Sequence, residues 1–182
     1  IIKGHVSLGS LRVRQDFMIA QGIMSPYANS NLNHDELMEL ALARLRQLSA
    51  HEIGHTIGLA HNFAPSVDNR ASVMDYPHPL IDIVNGKADI SNAYDDQIGD
   101  WDKRAILYGY QDFDPQTNEQ AALEQILKET LQSNTEFISD KDARARGGLH
   151  PTAHLWDNGN NAIIELERLN KVRAFSMKNF GE

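Results

Sequence analysis

Residues 51–61 read His51-Glu52-Ile53-Gly54-His55-Thr56-Ile57-Gly58-Leu59-Ala60-His61, the pattern H-E-x-x-H-x-x-G-x-x-H. No other stretch restricts the fold as tightly. Residues four apart lie one above the other on a helix, so His51 and His55 can present imidazole nitrogens to one cation. Glu52 is rotated off that line, which lets its carboxylate reach a water on the cation and not the cation itself. Gly58 lets the chain leave the helix sharply, through a positive φ. That turn can bring His61 back as a third ligand. Three neutral imidazoles without a fourth protein ligand describe an open site of the zinc type; iron and copper also accept three histidines. Chance gives these five fixed positions on the order of once in 10⁴–10⁵ chains, so a polar helix face does not explain them.

The helix carrying this segment is long. Asn33 is placed to cap it, Glu36 stands three residues later, and Leu37, Leu40, Ala41, Leu45 and Leu48 recur at helical spacing. The stripe points on to His51, Glu52 and His55, so roughly 25 residues and about 37 Å of helix end near Gly58. Upstream, residues 1–8 alternate apolar and polar, which predicts a strand. Ser10 predicts the cap of a short helix to about Gln21, stopped by Gly22, with Val13 and Phe17 on its buried face. Residues 25–33 are turn-rich. Downstream, residues 62–79 carry three prolines and read as irregular chain. Asn85-Gly86 centres a hairpin within Leu80–Ile90. Helices are predicted over Asp100–Tyr108, closed by Gly109, and over Glu119–Ser133, with Ala122, Ile126, Leu127 and Leu131 on one side. Residues 143–161 read as loop. A last helix spans Ile163–Phe180, with Ile164, Leu166, Leu169 and Phe175 available for burial. The fold class is α+β, mainly α.

Composition limits what surrounds the motif. The 182 residues suit one domain, or one domain with an appendage. A formal net charge of −8 argues against a nucleic-acid partner. With no cysteine, a disulfide framework, a thiolate metal site and a Cys nucleophile are excluded. No run of 18 apolar residues exists, so no transmembrane helix is expected. The chain opens on Ile1 without Met or a signal-like segment, and is expected to be a processed chain or a piece of a longer polypeptide.

Beyond the motif stand Ser72-Val73-Met74-Asp75-Tyr76-Pro77, thirteen positions after His61. With this element the chain resembles the metzincin clan of zinc endopeptidases. The zinc motif, Gly58 and a Met-turn at Met74 carry the resemblance. It implies zinc on His51, His55 and His61, with Met74 packed beneath without ligating the metal. Tyr76 resembles the tyrosine of astacins and serralysins, a further zinc ligand and transition-state stabiliser that matrixins lack; a core tyrosine before Pro77 is the plainer reading. Asn62 fills a position that varies among metzincin families, and local turn chemistry explains it equally well. Residues 102–109 resemble the metzincin C-terminal helix. Gly9–Asp16, the Met-turn and Leu155-Trp156-Asp157-Asn158-Gly159 are similar to the bacterial Met-zincin family, whose members are large and mostly exported.

The resemblance implies peptide hydrolysis by a metal-activated water with Glu52 as general base. A protein or peptide is the expected substrate, and bacterial export the expected localisation. A catalytically silent interaction module and a non-peptide zinc hydrolase are the alternatives; Glu52 favours catalysis. Residues 1–61 are expected to end an upper subdomain with the active-site helix, and 62–182 to form a helical lower subdomain with the Met-turn. A metzincin upper sheet has about five strands, and the 33 residues before the long helix cannot hold it. The N-terminal sheet is therefore expected to be incomplete and completed by upstream domains of the same polypeptide. The chain alone is expected to bind zinc yet cleave peptides poorly.

Other clusters read more plainly. His150 and His154 are four apart, but Gly147-Gly148 precede them and a surface loop is expected, not a second metal site. His5, His34 and His78 read as strand, cap and loop residues, His78 near the cleft. Asp112 and Asp114 lack the rest of a calcium loop. Asp95, Asp96, Asp100 and Asp102 fit a helix N-terminus without calcium.

Overall fold

The computed structural model describes residues 3–24, 34–65, 70–95, 97–133, 135–147 and 150–180. The expected loop over 25–33, the cap at Asn33 and Asp96 lie outside them. The described residues form α1 (Ser10–Ile23), α2 (His34–Thr56), β1 (Asp82–Val84), β2 (Lys87–Asp89), α3 (Asp100–Tyr110), α4 (Glu119–Gln132), α5 (Asp140–Ala143) and α6 (Ala162–Asn179). The architecture is the mainly helical α+β one expected of a metzincin-like fold. No helix among the described residues is long and apolar enough to cross a membrane.

The expected N-terminal strand is absent over residues 3–8. Extended chain becomes a strand only with a ladder partner, and the one sheet among the described residues is the β1–β2 hairpin. The segment instead passes the end of α2, where a Cβ on Gly4 would stand 2.7 Å from Thr56 Cβ. Gly9, not Ser10, precedes the first turn of α1, and the helix runs through Gly22 to Ile23. Its buried residues are Asp16 and Ala20; Val13 and Phe17 are half-buried.

The apolar stripe of α2 changes character along its length. Leu37, Leu40 and Ala41 are buried, but further on Arg44, Gln47 and His51 take the inward positions while Leu45 and Leu48 are half-buried. Leu37 and Leu40 join Ala20, Ile81, Ile90, Ala93 and Val172 in the main core cluster. A second cluster of Phe63, Ala64, Ile138 and Ala153 lies beside the functional segment.

The hairpin turns through Asn85 (φ 51°) and Gly86 (φ 73°), the two positive φ values of a type I′ turn. Its register pairs Ile83 with Ala88 and Val84 with Lys87. Helix α3 continues through Gly109 to Tyr110. In α4 only Ile126 is buried; Leu127 and Leu131 are exposed, because α3 is the main neighbour of this helix. Ile164 and Leu166 of α6 are also exposed. The inward face of α6 carries Val172 and Glu165 instead. Glu165 holds Arg168 through bonds of 2.6 and 2.8 Å, and Arg168 also donates to the Ile81 carbonyl, which ties α6 to the chain before the hairpin.

Among the described residues, two helices begin on asparagine caps. Asn118 Oδ1 accepts from Ala121 N at 3.1 Å, and Asn161 Oδ1 accepts from Ile163 N and Ile164 N at 3.0 and 3.2 Å. Asn161→Ala is expected to lower unfolding free energy by about 1 kcal/mol, read from the denaturant midpoint. An unchanged midpoint would show that the cap does not hold α6.

Candidate metal centre

Helix α2 ends two residues before Gly58, which takes φ +95°. Leu59 N donates to Gly54 O at 3.0 Å and Gly58 N to His55 O at 3.1 Å, the paired bonds of a Schellman stop. Tyr110 on α3 donates its hydroxyl to Ile57 O at 2.5 Å and braces the turn. The reversal returns His61 to the face of α2 that carries His51 and His55.

The three rings then converge. His55 Nε2 lies 3.1 Å from His51 Nε2 and 3.2 Å from His61 Nε2. Each opposite nitrogen is already engaged. His51 Nδ1 donates to Val73 O at 2.7 Å, His55 Nδ1 to Leu59 O at 2.9 Å, and His61 Nδ1 to Asp140 Oδ2 at 2.8 Å. Carbonyl and carboxylate oxygens only accept, so the Nδ1 atoms carry the protons. The three Nε2 atoms therefore face one another as lone pairs, an arrangement that calls for a cation. Donors about 2.0–2.1 Å from a tetrahedral metal lie about 3.3–3.4 Å apart, close to the spacing here. The residues present fit a metal ion, and His51, His55 and His61 are the group among the described residues able to hold one.

Burial pushes the His51 imidazolium below its ordinary range; the Val73 carbonyl opposes this, and His55 and His61 reinforce it. A neutral ring is the state a metal ligand needs. Glu52 is half-buried, and its charge is felt at both His51 and Tyr76.

Met74 is fully buried. A Cβ on Gly54 would overlap its sulfur, so the thioether lies against α2 between the levels of His51 and His55. The turn is held by both neighbours in space. Asn62 N donates to Met74 O at 3.1 Å. From α3, Asp102 accepts from Ser72 Oγ at 2.5 Å and from Val73 N at 2.8 Å, as well as from Gly99 N at 2.7 Å. Burial pushes the Asp102 carboxyl above its usual range, and these three donors pull against that. Asp102 thus grips the N–H of the residue whose carbonyl orients His51. The sequence had explained Asp102 as a helix N-terminal acid, which covers only its bond to Gly99.

Tyr76 reaches the same point from the Met-turn. Its hydroxyl is 2.8 Å from His61 Nε2 and acts as donor, since that nitrogen carries no proton. Burial and then the charge of Asp140 push its pKa up, so the phenol keeps its proton. Trp156, with φ +64°, stacks on Tyr76 at 5.3 Å and 9° between planes, and its backbone N–H donates to the Tyr76 backbone carbonyl at 2.9 Å.

Asn62 does more than shape its own turn. Fully buried, it donates to Glu136 O at 2.9 Å and accepts from Ile138 N at 3.0 Å. Neither this link nor Asp140 carries any signal in the sequence, because both partners are more than 70 residues away.

The remaining candidates stay apart. His150 Nδ1 accepts from Thr152 N and lies near its hydroxyl, both at 3.3 Å, and it does not meet His154 in a metal-ligating group. His5 bonds Ser7, His34 stacks on Phe17, and His78 Nδ1 lies 3.1 Å from Pro79 O. Asp100 pairs with Lys103 and Asp95 with Arg70.

Among known proteins, residues 33–182 match the family model DUF4953, described as Met-zincin. No curated protein and no solved structure matches the chain.

Gly54→Ala is expected to cost about 1–3 kcal/mol through overpacking on Met74, and less in a Met74→Ala background. Urea unfolding of the double-mutant cycle measures the coupling. Strictly additive effects would show that Met74 does not set the need for glycine at position 54.

Proposed function

The chain belongs to the Met-zincin family, and on that premise we propose that it is a zinc-dependent endopeptidase with its ion on His51, His55 and His61. The single observation carrying the reading is the convergence of three Nε2 lone pairs with every Nδ1 proton committed elsewhere. Three nitrogens, with no fourth histidine, cysteine or carboxylate joining the group among the described residues, favour an open, catalytic centre over a closed structural one. The chemistry that zinc supplies in such a site is Lewis acidity, which acidifies a water and polarises a peptide carbonyl.

The chain's own residues supply the rest. Glu52 follows His51 directly, so a side-chain oxygen can take the proton of an attacking water and later deliver it to the leaving amine nitrogen. The Tyr76 hydroxyl keeps its proton and can donate to the carbonyl oxygen as negative charge builds there. Trp156 stacked on the Tyr76 ring limits where that hydroxyl can point. No covalent acyl-enzyme is required. The presence of Glu52 beside the ligands favours this reading over a silent module.

Glu52→Ala is expected to keep the parent's zinc content and lose peptide hydrolysis by about 10²–10⁴-fold. Cleavage at the parental rate would remove Glu52 as the base. His61→Ala is expected to lower zinc occupancy, measured by metal analysis after dialysis. Undiminished zinc would take His61 out of the ligand set.

A further inference from the structure

We propose that Asp140 is a positioning residue of the metal site, docked there by Asn62. It holds His61 in the tautomer and orientation that present Nε2 to the ion. The proposal rests on reading His51, His55 and His61 as a metal site.

The three histidines are not supported alike. His51 and His55 sit on a continuous helix and give their Nδ1 protons to neutral carbonyls, Val73 O and Leu59 O. His61 lies in irregular chain after the helix has ended, so no helical backbone fixes its ring. Its Nδ1 partner is a carboxylate, 79 residues away in sequence and 2.8 Å away in space. A carboxylate on the far nitrogen locks the ring and makes the near nitrogen a stronger donor than a carbonyl does.

A defined clasp delivers that carboxylate. The Asn62 side chain bonds Glu136 O and Ile138 N, and Phe63 N donates to Ile138 O at 2.8 Å. Residues 62–63 and 136–138 are thereby fixed side by side, over the cluster of Phe63, Ala64, Ile138 and Ala153. Two residues past Ile138 the chain enters α5, and Asp140 is its first residue. Asn62 therefore couples the third histidine's own neighbour to the segment bearing that histidine's partner.

A stabilising role alone does not account for the arrangement. The other oxygen of Asp140 meets Arg144 at 3.4 Å, with side chains 44% and 52% exposed, and an ion pair in that setting contributes little. Substitution at Asp140 should thus leave the fold intact.

The test uses the purified chain, with zinc affinity measured by competition against a chromophoric chelator at fixed pH. Asp140→Ala is expected to raise the zinc Kd about 10–100-fold, with apo-protein unfolding essentially unchanged. Asp140→Asn, which keeps an acceptor oxygen without the charge, should fall between. In apo protein, ¹⁵N NMR should show His61 as the Nδ1–H tautomer in the parent, and lose that preference in Asp140→Ala. A parent that binds zinc while both variants keep its affinity and tautomer would overturn the role of Asp140 and leave the three-histidine site standing. A parent that binds no zinc would overturn the site, and this proposal with it.

Discussion

Three converging imidazole lone pairs, with His55 Nε2 held 3.1 and 3.2 Å from those of His51 and His61, are the constraint on which the rest of the structure depends. Left to themselves, such nitrogens would turn away or take up protons. Here each ring is tethered through its opposite nitrogen, and burial of His51 adds a bias against protonation. The surrounding fold is therefore organised to supply three acceptors at three places. A Schellman turn supplies Leu59 O, the Met-turn supplies Val73 O, and α5 supplies the Asp140 carboxylate.

Holding Val73 O in place explains much of the buried polarity. From Asp102 on α3 the path runs through Val73 to His51 on α2, with Gln47 adding a second donor to Val73 O at 3.3 Å. This is why the inward face of α2 turns from leucine to Gln47 and His51 halfway along. Three buried bonds converge on the Asp102 carboxyl, and they fix a loop that has no regular secondary structure. Gly99 is needed at the same junction, since a Cβ there would overlap the Ala71 carbonyl.

Features encoded by neighbours in sequence were legible. The H-E-x-x-H-x-x-G-x-x-H spacing, the Gly58 turn, the Asn85-Gly86 hairpin and the length of α2 all arise from contacts within a few residues. The strand expected over residues 1–8 had the right alternation, but residues 3–8 meet no ladder partner among the described residues. The apolar faces expected on α4 and α6 followed helical period correctly, yet period says nothing of what packs against a face, and Leu131 is 80% exposed. Asp140, the reach of Asn62 to residues 136–138 and the stacking of Trp156 on Tyr76 join distant parts of the chain, and no local pattern marks them.

The central claim is that one ion sits on His51, His55 and His61. Zinc-edge X-ray absorption on protein loaded with one equivalent of zinc tests it most directly. The account predicts a first shell with three imidazole nitrogens at about 2.0–2.1 Å, and loss of one of them in His61→Ala. A shell of light oxygen donors without imidazole scattering, or a shell unchanged by His61→Ala, would contradict it.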